Sequence, residues 1–383
     1  MTEFETLTCV RFVPHTTEND YLNISPEVGC YSYIGRIGGR QTVSLGGGCV
    51  YMGIIQHELE HALGFYHEHT RSDRDNYIDI NFQYISEGYQ GDFAKVDTNN
   101  LGSPYDYGSV MHYDAYAFSN TSNKPTIVPK PDPNVPIGQT IGLSVLDVLK
   151  INLLYQCSVC ATLLNNNTGI FTSANYPLAY PDNVNCVWLI RATSGQASLN
   201  FSSFNIQSTP NCESDYMRIY DGPSKYSPVL LDKMCGSKTV PRLIASTSHM
   251  LVEFVSDGAV GGVGFQATYS SVQCGGTFFN SQGSFTSPGY PGNYSPYMNC
   301  NYTITAPVGY KIALTISDFH LEYVISCTYD YLKVFMDGRQ KGPYCGDISV
   351  PVLYSKGNSM VLVFHSDESV QAKGFQASYT FCE

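Results

Sequence analysis

The run His57-Glu58-Leu59-Glu60-His61-Ala62-Leu63-Gly64-Phe65-Tyr66-His67 holds the residue types of a metal-dependent hydrolase. On a helix, positions i and i+4 share a face, so His57 and His61 aim their imidazoles at one point. Three protein ligands and an open position for water make a catalytic zinc site. Gly64 is the residue type that ends a helix in the left-handed conformation, after which the chain turns and brings in His67 as the third ligand. Glu58 lies beside the ligand face. It would take a proton from the water that the zinc activates and pass it to a leaving amine. Chance gives His-Glu-x-x-His in roughly one chain of this length in a hundred, and with the Gly and the third His in roughly one in 10^5. Buried, satisfied histidines at all three places compete poorly with a zinc site.

A helix must position these groups, and Ile54, Ile55, Leu59, Ala62 and Leu63 supply its apolar packing. Downstream stands Ser109-Val110-Met111-His112-Tyr113. A lone Met is ordinarily core filler. After an extended zinc helix, Met111 in a turn is similar to the hydrophobic floor beneath the metal in metzincins.

The rest of the composition narrows the setting. There are 21 Lys+Arg against 33 Asp+Glu, a net charge of -12, which disfavours nucleic acid because phosphate binding needs clustered cations. Charged residues are only 14%, which argues against a disordered chain or a long coiled coil. The longest apolar runs, such as 360–364, are too short to span a bilayer. Thirteen Cys point to an oxidising compartment, and so do the sequons at Asn23, Asn120, Asn166, Asn200, Asn293 and Asn301. Cys157 and Cys160 have CxxC spacing but no βαβ pattern around them, so a redox role is not read there. The chain opens Met1-Thr2-Glu3-Phe4-Glu5 with no signal-peptide pattern.

The second part of the chain repeats. Cys160, Cys186, Cys212 and Cys235 recur as Cys274, Cys300, Cys327 and Cys345, at offsets of 114, 114, 115 and 110 residues. A period near 110 matches a whole domain, so residues 160–273 and 274–383 read as two copies of one module. Short alternating runs such as Met217-Arg218-Ile219-Tyr220, punctuated by Gly, Pro and Asn, predict an antiparallel β-sandwich. Residues 1–157 have no copy and carry 9 Lys+Arg against 18 Asp+Glu, or -9, so the acidity sits there. The linker between the unique module and the first repeat is very short and predicts restricted movement.

His57 to Asp75, with 109–113, resembles the astacin family of zinc endopeptidases. So do Cys9-Val10-Arg11-Phe12-Val13-Pro14, Gly29-Cys30-Tyr31-Ser32-Tyr33 and Pro125-Thr126-Ile127-Val128-Pro129. The resemblance covers essentially all of residues 1–157. It implies an α+β metzincin domain whose N-terminal strand and most of whose first helix are missing. It implies one zinc on His57, His61 and His67, Glu58 as base, and Tyr113 as a displaceable additional zinc ligand that stabilises the oxyanion. It also implies the disulfides Cys9–Cys157 and Cys30–Cys49.

The two repeats resemble CUB domains, which are all-β sandwiches. That resemblance implies Cys160–Cys186, Cys212–Cys235, Cys274–Cys300 and Cys327–Cys345. Cys382 is left over, either free or bridging to another chain in a disulfide-linked dimer. Many CUB domains bind calcium. The second copy matches that pattern with Glu322, Asp330 and Asp367, a carboxylate set suited to a hard cation. The first has Asp215 and Asp257 but Gln207 in place of the Glu, one charge short.

The architecture resembles amphibian hatching enzymes, which implies a secreted protease that cuts egg-envelope or other extracellular glycoproteins, with the CUB modules recognising substrate or partner. Astacins tend to favour acidic residues just after the cut. In so acidic a module that would need a local base, with Arg71, Lys124 and Lys130 as candidates. The family also pairs its mature N-terminus with the Glu after the third His, here Glu68. A truncated chain would leave Glu68 an isolated buried carboxylate and would be less stable or less active. Two rival readings are an inactive protease module serving a CUB-mediated binding protein, and a matrix-processing or toxin astacin.

Overall fold

The computed structural model describes residues 1–258 and 261–383. The chain divides into two compact units, Met1–Leu163 and Leu164–Glu383. Three helices frame the first: α1 (Thr2–Leu7), α2 (Met52–Ala62) and α3 (Val145–Leu154). A three-stranded sheet accompanies them. Its central strand Arg40–Leu45 pairs parallel with Tyr21–Ser25 and antiparallel with Cys30–Ser32. A short ribbon joins Ile78–Ile80 to Ile127–Pro129, beside a buried cluster of Ile78, Ile85, Phe93, Tyr105 and Ile127.

Local chemistry fixes the ends of α2. At Gly53 a Cβ would fall 2.0 Å from the Thr140 carbonyl oxygen, so only glycine lets that loop approach the helix. At the other end Gly64 sits at φ +107°. Its N–H bonds the His61 carbonyl at 2.8 Å, and the Phe65 N–H returns to Glu60 O at 3.2 Å. This reversal turns the chain back toward the helix face. α3 begins at a reciprocal cap in which Ser144 Oγ accepts from the Asp147 N–H (2.8 Å) and Asp147 Oδ2 accepts from the Ser144 N–H (2.9 Å). Its Val148 and Ile151 are buried.

The second unit holds two sandwiches built alike. In the first, the strands Val229–Met234, Tyr216–Tyr220, His249–Val255 and Asn185–Arg191 lie side by side, facing a sheet that includes Gln196–Ile206 and Gly264–Val272. In the second, Arg339–Tyr344, Tyr331–Met336, Ser359–His365 and Asn299–Thr305 repeat that order. Trp188, Phe254 and Phe265 fill one core, and Tyr302, Phe364 and Phe375 fill the other. One edge departs from the antiparallel expectation: Gly275–Phe278 pairs parallel with Asn299–Thr305. Strand Gln282–Thr286 of the opposite sheet lies between them in sequence, so no hairpin dictates the direction. No helix among the described residues is long and apolar enough to cross a membrane.

Candidate metal centre

The helical spacing and the Gly64 reversal bring three imidazoles together. His67 Nε2 lies 3.2 Å from His57 Nε2 and 3.1 Å from His61 Nε2. The outer nitrogens are already committed. His57 Nδ1 is 2.8 Å from the Val110 carbonyl oxygen, and His61 Nδ1 is 2.8 Å from that of Phe65. A carbonyl only accepts, so each Nδ1 carries the proton and each Nε2 presents a lone pair. Burial also holds all three rings on the neutral side, with His61 down to about 4. Converging lone pairs at this separation repel unless a cation lies among them, and three neutral imidazoles are a zinc donor set.

Glu58 borders the same point. Its Oε2 is buried and has no hydrogen-bond partner among the described residues, and burial pushes its carboxyl up to about 7. Tyr113 is held by aromatic contacts, with its ring stacked on His69 at 4.2 Å and 4.5 Å from the ring of His67. Burial, then Asp92 and Glu58, pushes its phenol up to about 12, so it stays a donor at neutral pH. Met111 is buried, and its carbonyl accepts the Glu68 N–H at 2.9 Å.

The astacin peptidase-family model matches residues 1–156, and the CUB domain model matches 160–269 and 274–379. The chain is 57% identical over 383 residues, 99% of its length, to the embryonic protein UVS.2 of Xenopus laevis, of which it covers 74%. The chain belongs to the astacin family. It is also 56% identical over 275 residues to an astacin-like metalloendopeptidase of Coturnix japonica, which is 71% of this chain and 67% of the relative. A solved structure of high choriolytic enzyme 1, a hatching enzyme zinc-protease from Oryzias latipes, is 53% identical. The match covers 41% of this chain and 79% of that one, with a TM-score of 0.41. The protein is an astacin metalloendopeptidase followed by CUB domains.

Around the astacin centre the structure adds residues that sequence reasoning did not find. Asp147 Oδ1 accepts from Ser109 Oγ at 2.6 Å, and its Oδ2 accepts from the Val110 N–H at 2.9 Å. The cap of α3 therefore holds the turn whose Val110 carbonyl orients His57. Ser144-x-x-Asp147 before an apolar run was the available signal for that cap.

The isolation expected for Glu68 is overturned. Its carboxylate takes Arg71 Nη1 (3.2 Å), Lys150 Nζ (2.8 Å) and the Asp106 N–H (2.8 Å). The two cations come from 3 and 82 residues along the chain, and only folding brings the second one in. The basic candidates for the substrate cleft are redistributed as well. Arg71 is buried on Glu68 and Asp73. Lys130 binds Asp79 at 2.9 Å, and Lys124 lies over the Tyr84 ring.

The disulfides join Cys9 to Cys157, Cys30 to Cys49, Cys212 to Cys235, Cys274 to Cys300 and Cys327 to Cys345. Cys160 and Cys186 are disulfide-bonded too, and Cys382 is a half-buried free thiol at the end of strand Gly374–Cys382.

In the second CUB domain, carboxylate oxygens of Glu322, Asp330 and Asp367 lie within 4.8 Å of one another. Asp330 is fully buried and accepts from the Asp367 N–H (2.8 Å) and the Tyr294 hydroxyl. Glu322 Oε2 is buried with no hydrogen-bond partner among the described residues, and burial plus Asp330 and Asp367 raise its carboxyl. A buried, unpartnered oxygen among three carboxylates fits a hard cation. The first CUB domain repeats the frame: Asp215 accepts from the Asp257 N–H at 2.8 Å and from the Tyr180 hydroxyl at 2.5 Å. There Gln207 Oε1 is the buried oxygen without a partner, so a neutral carbonyl stands where the charge should be.

Proposed function

We propose that this astacin is a secreted endopeptidase that cuts glycoproteins of an egg envelope or similar extracellular coat. One zinc is held by His57, His61 and His67. The observation that carries the chemistry is the set of three imidazole Nε2 atoms converging beside Glu58, whose buried Oε2 has no hydrogen-bond partner among the described residues. Similarity to an embryonic protein along 99% of the chain supports the setting.

A zinc ion bound there supplies a Lewis acid that polarises the scissile carbonyl and makes a water more acidic. Glu58 accepts the proton of the attacking water and passes it to the leaving nitrogen. Desolvation raises its basicity for the first transfer, and a carboxyl near 7 can still give the proton up to the more basic leaving amine in the second. Tyr113 donates its phenol hydrogen where negative charge develops on the carbonyl oxygen. His69 holds its ring in place by stacking.

Glu322, Asp330 and Asp367 hold one calcium in the second CUB domain, and the two CUB domains position the protease on its substrate. Cys382 is the residue through which a covalent dimer would form. The intact metal centre gives the inactive-protease reading no support.

The test is incubation of the purified chain with isolated egg envelopes and, separately, with extracellular matrix, beside the Glu58→Gln variant. Peptides released from envelopes by the wild type alone support the reading. Release from matrix alone moves the substrate class, and no release from either removes the proposed role.

A further inference from the structure

A cavity of about 260 Å³ opens beside the metal centre, between the start of α2 and two loop segments, 112–114 and 138–140. His57, Glu58 and Tyr113 are among its lining residues, so it is where a substrate side chain flanking the cut bond would sit. Its walls are closed by backbone contact. Gly138 stands at φ +81°, and a Cβ there would fall 2.3 Å from Asp114 Cα. The chain can therefore lay these two segments against each other only with glycine at 138.

The lining contains no Lys or Arg. His112 is buried, with its nitrogens on Tyr113 O (2.7 Å) and the Tyr105 hydroxyl (2.8 Å). Both ring nitrogens are therefore taken up inside the fold and neither is left for a ligand. Gln139 is fully used: its Nε2 donates to Gly108 O and Gly142 O, and its Oε1 accepts from the Ile141 and Gly142 N–H groups. Glu58 apart, the one charged group facing the cavity among the described residues is Asp114. Its Oδ1 accepts the Tyr116 N–H at 2.7 Å, and Oδ2 accepts no hydrogen bond among the described residues. Asp114 is exposed, enters no ion pair there, and follows Tyr113 directly in the chain. Asp114 thus lines the cavity with one carboxylate oxygen uncommitted among the described residues, in a module whose net charge is already -9, from 9 Lys+Arg against 18 Asp+Glu in residues 1–157.

We propose that Asp114 is a specificity-determining residue that makes this cavity take a cationic side chain, Lys or Arg, next to the scissile bond and disfavour Asp or Glu. The inference rests on the endopeptidase reading and names the substrate class of that same site. It reverses the acidic preference that the family resemblance implies, because none of Arg71, Lys124 and Lys130 reaches the cavity. Attraction of a cation and repulsion of an anion by one carboxylate act in the same direction, so the Lys:Asp ratio reflects both.

The experiment uses the zinc-loaded full chain and three quenched peptides identical except for Lys, Gln or Asp at the residue after the cut. Expected is a kcat/KM order of Lys, Gln, Asp, with a Lys:Asp ratio on the order of tenfold at low salt. Asp114→Asn brings that ratio close to one, and Asp114→Lys inverts it. The ratio is the readout because a merely structural effect lowers all three rates together. As a second readout, calorimetric binding of the Lys and Asp peptides to the uncleaving Glu58→Gln chain shows the same order and weakens in high salt. A wild type that prefers Asp, or a Lys preference that survives in Asp114→Asn, overturns the inference and leaves the protease reading standing. Failure of the wild type to cut even the Gln peptide overturns both.

Discussion

Replacing Lys150 by Met tests how His67, the proposed third zinc ligand, is held. Lys150 Nζ lies 2.8 Å from Glu68 Oε2 and 3.5 Å from Asp147 Oδ1. The three side chains are 7%, 5% and 0% exposed, so water can take over little of either carboxylate. Against the pull of burial, Asp147 and Glu68 hold the ammonium above its usual range, so Lys150 stays charged at every working pH. Removing one partner of a buried ion pair costs about 3–5 kcal/mol. Arg71 and the Asp106 N–H still serve Glu68, which puts the expected loss near the lower end, about 3 kcal/mol. For a domain of this size that is roughly 6–12 °C in Tm. Scanning calorimetry of the full chain checks it, with the CUB transitions expected not to move. The double variant Glu68→Gln/Lys150→Met removes the stranded charge and should recover at least half of the loss. A shift under about 2 °C, or strictly additive single and double variants, would refute the view that this pair anchors the segment carrying His67.

Tyr113→Phe keeps the ring stack on His69 but removes the donor. kcat should fall by about 10²-fold or more with zinc content unchanged, and an unaltered kcat would remove Tyr113 from the reaction. Calcium should raise the melting temperature of the second CUB domain and bind there calorimetrically, and Glu322→Gln should weaken that binding by about tenfold or more. Burial, then Asp147, raises Asp106 to about 6. Its folded pKa therefore exceeds the unfolded one, and its contribution is present in acid and lost as pH rises through about 6. Asp106→Asn should accordingly gain about 1–3 kcal/mol relative to wild type between about pH 4.5 and 7.5. A constant difference across that range would show that Asp106 is ionised throughout.

The convergence of the three imidazoles was legible because their positions are local in sequence. Helical periodicity alone aligns His57 with His61, and a glycine at the helix end is enough to turn His67 onto the same point. The CUB modules were legible for a different reason: a period near 110 residues needs no structure to be seen. What the sequence could not show was which distant charges meet. Glu68 looked stranded because its second cation, Lys150, stands 82 residues away on another helix. Arg71 looked available to substrate until the fold buried it on Glu68 and Asp73. The parallel edge strand Gly275–Phe278 was hidden because alternation specifies which face a strand buries and not its direction. Residue types and short spacings determined the chemistry and the modules of this protein. The tertiary structure alone decided which carboxylates are compensated, as at Glu68, and which, as at Asp114, enter no ion pair among the described residues, because Coulomb interactions depend on distance in space and on burial.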